Sequence, residues 1–223
     1  LLLVDRRAGP NCSIWLVAVA LGAAACGAPA PPQPTPSTTA QQVNPARIDR
    51  VRGALPSGYE TADLTGPASP AAVWGYGADW RADPPRCAAL ADPAGAAKSA
   101  GWSASGPGGI VYAVVASASV DVDTAVLREC GRWTVEGGQT TGTVTLGPAP
   151  AVDSASTLAM ATASTTVVEG GTQTRSHADT VTAYLGDHVA FVSVVTDPGS
   201  PNPQLGADLA SDLLAETVSA LRG

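Results

Sequence analysis

The sequence predicts an α+β domain: a mostly antiparallel sheet with helices packed on it and one disulfide. Three observations carry that expectation. From Arg132 to Thr196 one apolar-alternating run follows another across Gly and polar turns, and strands joined in succession pair antiparallel. In the closing segment Leu205, Leu209, Leu213, Leu214, Val218 and Leu221 recur three or four residues apart, the spacing of an amphipathic helix. Two cysteines, Cys87 and Cys130, are left to pair once an N-terminal leader is set aside.

The elements follow in order. Asn44 before Pro45 caps a short helix through Arg52 that ends near Gly53. Glu60 to Leu64 reads as a first strand. Residues 66–109 are rich in Gly, Pro and Ala and hold no period for long, with single helical turns at Ser69-Pro70 and Pro85 to Leu90. Ile110 to Ala116 is apolar on both faces, a buried strand. Asp121 caps a helix that reaches Cys130. Strands then span Arg132 to Glu136, with Trp133 and Val135 inward, Thr141 to Leu146, Thr157 to Val168, Ser176 to Leu185 and His188 to Thr196. Gly186-Asp187 forms the last hairpin turn. On the closing helix Asp208, Asp212 and Glu216 fall opposite the apolar stripe and face water.

Composition narrows the class. With 45% hydrophobic and 14% charged residues, 24 Gly and 19 Pro, the chain reads as one globular domain plus irregular ends. A net charge of −7 argues against a nucleic-acid partner, because such affinity rests on neutralising phosphates. Residues 1–25 read as a signal peptide: Arg6 and Arg7 precede an apolar run from Ile14 to Ala25 of about a dozen residues. Ala23-Ala24-Ala25 before Cys26 resembles a bacterial lipobox, in which that cysteine is acylated, while Ala23-x-Ala25 also suits ordinary signal cleavage. Cysteine parity favours acylation: cleavage before Cys26 leaves Cys26, Cys87 and Cys130, and a lipidated Cys26 leaves the other two as a disulfide. Residues 26–43 carry five prolines and no charge, the composition of an extended spacer. Residues 44–223 are then a single extracytoplasmic domain. The expected address is the cell envelope, with the acyl anchor holding the protein on the outer face of the cytoplasmic membrane. Without residues 1–25 the chain keeps 10 basic and 18 acidic side chains, a charge of −8, so the acyl chains and not headgroup attraction would hold it there.

The run from Asn44 to Tyr59, then Trp74, Cys87, a helix with Cys130 and a closing hairpin plus amphipathic helix resembles uncharacterised mycobacterial envelope lipoproteins. More distantly it resembles the extracellular sensor domain of PknH-type receptor kinases. That likeness implies a cleft over an antiparallel sheet and ligand binding rather than catalysis. The kinase sensor domain carries two disulfides where this chain can form one, and no site residue is carried over.

Few residues suggest chemistry. His177 and Asp179 share one face of a strand, and Ser176 or Ser193 would complete a hydrolytic set; a plain surface histidine is the simpler reading. His188 flanks the hairpin turn. Asp121 and Asp123 read as helix capping rather than a calcium site, and Gly106-Pro-Gly-Gly109 as a loop. No metal site, cofactor or catalytic residue is expected. The Trp74-Gly-Tyr76-Gly-Ala-Asp-Trp80 cluster stands out, with Trp102 and Tyr112 placed to reach the same wall. These rings either fill the core or line a slot for a lipid, glycolipid or cell-wall fragment, and a protein-contact patch is a further reading. The functional expectation is a non-enzymatic, sensor-like ligand-binding lipoprotein, with an envelope protein scaffold as the alternative.

Overall fold

Strand follows strand from Ser99 to Thr196 with only a short α-helix and a three-residue 3-10 turn between, and every pairing in the computed structural model is antiparallel. The structure describes residues 42–197 and 199–223. The expected leader, Cys26 and nearly all of the spacer lie outside these. The nine strands are β1 (Glu60–Asp63), β2 (Arg81–Asp83), β3 (Ser99–Gly106), β4 (Gly109–Ser117), β5 (Arg132–Gly137), β6 (Thr140–Gly147), β7 (Ser156–Val167), β8 (Gln173–Tyr184) and β9 (His188–Thr196). They form one sheet in the order β1-β3-β4-β9-β8-β7-β6-β5-β2. Strands β5 to β9 are a meander of hairpins, and β9 returns beside β4. Gly186, at φ +86°, makes the tight turn that closes the last hairpin, where Leu185 N–H bonds to His188 O at 2.8 Å.

Two layers cover the sheet. Alternation along the strands sends Trp102, Val111, Val115, Val181, Val192 and Val194 to a first face. A 3-10 helix, Pro45–Ala54, buries Ile48 and Val51 against it, and α4 (Ala207–Arg222) buries Leu213, Leu214, Val218 and Leu221. Asp208, Asp212 and Glu216 are exposed, as the stripe requires. On the second face Trp133, Val144, Met160 and Val189 pack against α1 (Pro70–Val73), α2 (Ala88–Ala91), α3 (Thr124–Glu129) and the segments between them. Cys87 and Cys130 are fully buried there and joined by the expected disulfide.

Several local expectations are corrected. The segment read as irregular, residues 66–109, holds β2 and the eight-residue β3. Its Ser, Ala and Gly side chains carry little strand propensity, and pairing with β4 imposes the conformation. Gly101 permits that pairing: a Cβ there would lie 2.3 Å from Ala113 O. Asp123, not Asp121, caps α3, accepting from Ala125 N–H at 2.7 Å. The first helix is 3-10 and runs past Gly53 to Ala54. Val43, the last residue of the expected spacer, is buried in the first-face core, and Asn44 N–H bonds to Leu221 O at 2.8 Å.

Candidate functional site

After α1 the chain reverses at Gly75, φ +94°, so that Trp74 and Tyr76 both point down onto the second face. Trp74 is 4% exposed, and its Nε1–H donates to Thr180 Oγ1 at 2.8 Å. That hydroxyl lies 2.7 Å from Ser193 Oγ, so a buried indole and two buried hydroxyls satisfy one another. Tyr76 is 3% exposed; its OH lies 2.8 Å from Ser164 Oγ, and burial pushes the phenol pKa up. Gly142 makes room for it, since a Cβ there would sit 2.1 Å from the Tyr76 hydroxyl. Both rings are posts that fasten the helical layer to the sheet. Of the two, Tyr76 also borders the groove described below.

The other three aromatics separate. Trp80 is half-buried, with Gly137 beneath it: a Cβ on that glycine would lie 3.2 Å from Trp80 Cβ. Trp102 is fully buried on the opposite face, donates to Ile48 O at 3.1 Å and sits 6.0 Å from the Arg52 guanidinium. It shares no wall with Trp74. Tyr112 is on the Trp74 side, in the row that runs through Ser193 and Thr180, and is half-buried, with its phenol pKa raised by that burial. It lies apart from the groove described next.

A groove of about 370 Å³ opens beside Trp80, between Pro67–Ala72 and Asp92–Ala96. Tyr76 supplies its inner end, Ser69 and Asp92 its polar groups, and small residues such as Ala68, Ala72, Gly77 and Gly95 the rest. No Arg, Lys or His lines it. Asp92 is the residue that sequence reading missed: Asp before Pro93 looks like an ordinary turn. Burial holds its carboxyl above the usual carboxylate range, opposed by a hydrogen bond from the Gly95 backbone. Its Oδ1 is buried with no hydrogen-bond partner among the described residues. Asp92 also borders a smaller hollow of about 150 Å³ whose apolar wall includes Leu90, Val120, Val122 and Tyr184. Burial pushes the Tyr184 phenol up to about 12.

His177 Nε2 lies 3.2 Å from Asp179 Oδ1 on the first face, as the strand alternation required. Ser176 and Ser193 belong to the second face, and Ser193 is fully buried against Thr180, so neither completes a hydrolytic set. A different chain of bonds does have the order of a triad: Ser117 Oγ is 3.3 Å from His188 Nε2, and His188 Nδ1 is 2.8 Å from Asp187 Oδ1. The Asp187 side chain is 72% exposed, and the Ser117 N–H is bonded to Lys98 O, which removes it as an oxyanion donor. Neither the groove nor the smaller hollow reaches Ser117. Among the described residues no three His, Cys, Asp or Glu side chains gather as a metal site would need, and no helix is long and apolar enough to cross a membrane.

An uncharacterised protein of Mycobacterium smegmatis, an Rv0999 ortholog, has a similar structure: TM-score 0.60 at 18% identity, over 82% of this chain and 98% of that one. At that identity the likeness is one of fold. It agrees with the expected resemblance to uncharacterised mycobacterial proteins and lends no support to the expected likeness to kinase sensor domains. No curated protein matches the chain. A family model described as a domain of unknown function, DUF5642, matches residues 44–222, and the chain belongs to that family.

Proposed function

We propose that the protein is a non-enzymatic, acyl-anchored envelope lipoprotein whose domain binds a neutral sugar-bearing ligand, such as a cell-wall fragment, in the groove between Trp80 and Asp92. The carrying observation is Asp92, a carboxylate with one buried oxygen lacking a partner, beside a half-buried indole. A sugar satisfies both: its hydroxyls donate to a carboxylate, and its C–H face packs on an aromatic ring. With Asp92 and no cation in the lining, an anionic ligand is disfavoured. An acyl chain needs an enclosed apolar cavity, and the hollow beside Asp92 measures about 150 Å³, so the glycan reading takes precedence over the lipid one. The signal peptide, Cys26 acylation and location on the outer face of the cytoplasmic membrane belong to the same proposal, as does the sensor-like role. They rest on the leader and on the cysteine count.

Native mass spectrometry of the full chain taken from the envelope of an actinobacterial host tests this reading. The expected spectrum carries the acyl mass on Cys26 and a retained glycan mass. That second mass disappears in Trp80→Ala and in Asp92→Asn. A protein that holds no extra mass, or holds the same mass in both variants, would overturn the ligand reading.

A further inference from the structure

The hollow of about 150 Å³ that shares Asp92 with the groove has a wall of its own. Leu90 comes from α2, Val126 from α3, and Val120 and Val122 from the segment between β4 and α3. Tyr184, the one strand residue in the lining, closes it on the sheet side, and all five belong to the second-face core. The polar groups are acidic. Asp92, Asp121 and Asp123 contribute carboxylates, and no Arg, Lys or His lines the hollow. Asp123 is engaged: its Oδ1 caps α3 and its Oδ2 lies 3.9 Å from Arg86. Asp121 is exposed and forms no ion pair among the described residues. Two further groups lack partners inside the wall. Asp92 Oδ1 is buried and unbonded. Tyr184 is only 6% exposed, and its hydroxyl makes no hydrogen bond among the described residues. Burial alone raises its phenol pKa, whereas at Tyr76 the bond to Ser164 works against the same effect. Polar groups so placed cost free energy until something pairs with them.

We propose that this hollow binds a primary alkylammonium group on a short hydrocarbon stem, the chemistry of a free short-chain amine or of a lysine-type side chain. An ammonium brings three N–H donors to acceptors of the kind that Asp92, Asp121 and Tyr184 offer. Its stem replaces water on Leu90, Val122 and Val126. The space equals that of about five waters, which holds the nitrogen and about four carbons. Three carboxylates repel an anion, and a neutral alcohol brings one donor and no charge. Among the described residues these acids do not gather as a metal ion requires, so the cation that fits is an extended organic one. The site goes beyond the sugar reading and adjoins the groove at Asp92.

The test titrates n-butylammonium chloride into the full isotope-labelled chain in nonionic detergent and follows the amide shifts by NMR, with n-butanol and sodium butyrate as controls. The ammonium should give saturable shifts centred on residues 89–93, 120–126 and 184, with a Kd of about 1 mM. Butanol should bind at least about tenfold more weakly, and butyrate should leave those amides in place. Asp121 is exposed and does not cap α3, so Asp121→Asn should keep the fold and weaken the ammonium about threefold. Val122→Phe fills the hollow and should abolish binding, with circular dichroism checking the fold of both variants. A parallel titration with Nα-acetyl-lysine methylamide separates the sources: tighter binding than n-butylammonium assigns the hollow to a peptide side chain, and weaker binding to a free amine. Shifts that never saturate overturn the proposal. So does butanol or butyrate binding as tightly as the ammonium, or an ammonium affinity unchanged in both variants.

Discussion

Gly142 shows how one missing side chain shapes the second face. The Tyr76 hydroxyl occupies the space a Cβ would take, and Ala163 O lies only 2.8 Å from that position. Gly142→Ala should therefore lift the ring off Ser164 and destabilise the domain by about 1–3 kcal/mol, read as a fall in the urea midpoint at unchanged slope. His177 gives a pH signature. Its hydrogen bond with Asp179 raises the imidazole pKa, against the opposing effect of partial burial. A group raised in the folded state contributes stability that is fully present below its unfolded value, about 6.5, and lost as pH rises through the folded value. An NMR titration should place the His177 midpoint above the ordinary value, and Asp179→Asn should lower it. The His177 side chain is 42% exposed, so solvent screens the pair and the change in global stability should be small.

Among the elements, the disulfide joins two pieces that the sheet does not hold directly. Cys87 ends the 3-10 helix Pro85–Cys87, Cys130 follows α3, and an Arg86–Glu129 ion pair at 2.8 Å runs beside them. Their sequence separation is 43. In the chain-entropy model a loop of that length is worth about 4 kcal/mol. Cys87→Ala with Cys130→Ala should cost about 2–4 kcal/mol in denaturant unfolding. The β5–β9 meander has its own ladder, so the far-UV strand signal should persist at low denaturant while the near-UV tryptophan signal weakens. The elements most visible in the sequence were those with a period of their own, such as β9 or α4. Strand β3 was hidden because its Ser, Ala and Gly residues have no such pattern, and β4 holds them in place by pairing.

For the molecule as a whole, strand succession, helix cover and the Cys87–Cys130 bond were readable because each depends on local periodicity or on counting partners. Alternation and turn residues specify that a strand forms and which of its residues share a face. They leave open which layer that face meets. The sequence allows Trp102 to reach the same wall as Trp74, yet Trp102 lies on the first face and Trp74 reaches the second across the Gly75 reversal. The pairing of β3 with β4 settles the first and the packing of α1 on the sheet the second, and both are long-range. Asp92 is the same case: an ordinary turn residue in sequence, it becomes a carboxylate with a buried, unpartnered oxygen only when α1, Trp80 and the 92–96 turn close around it.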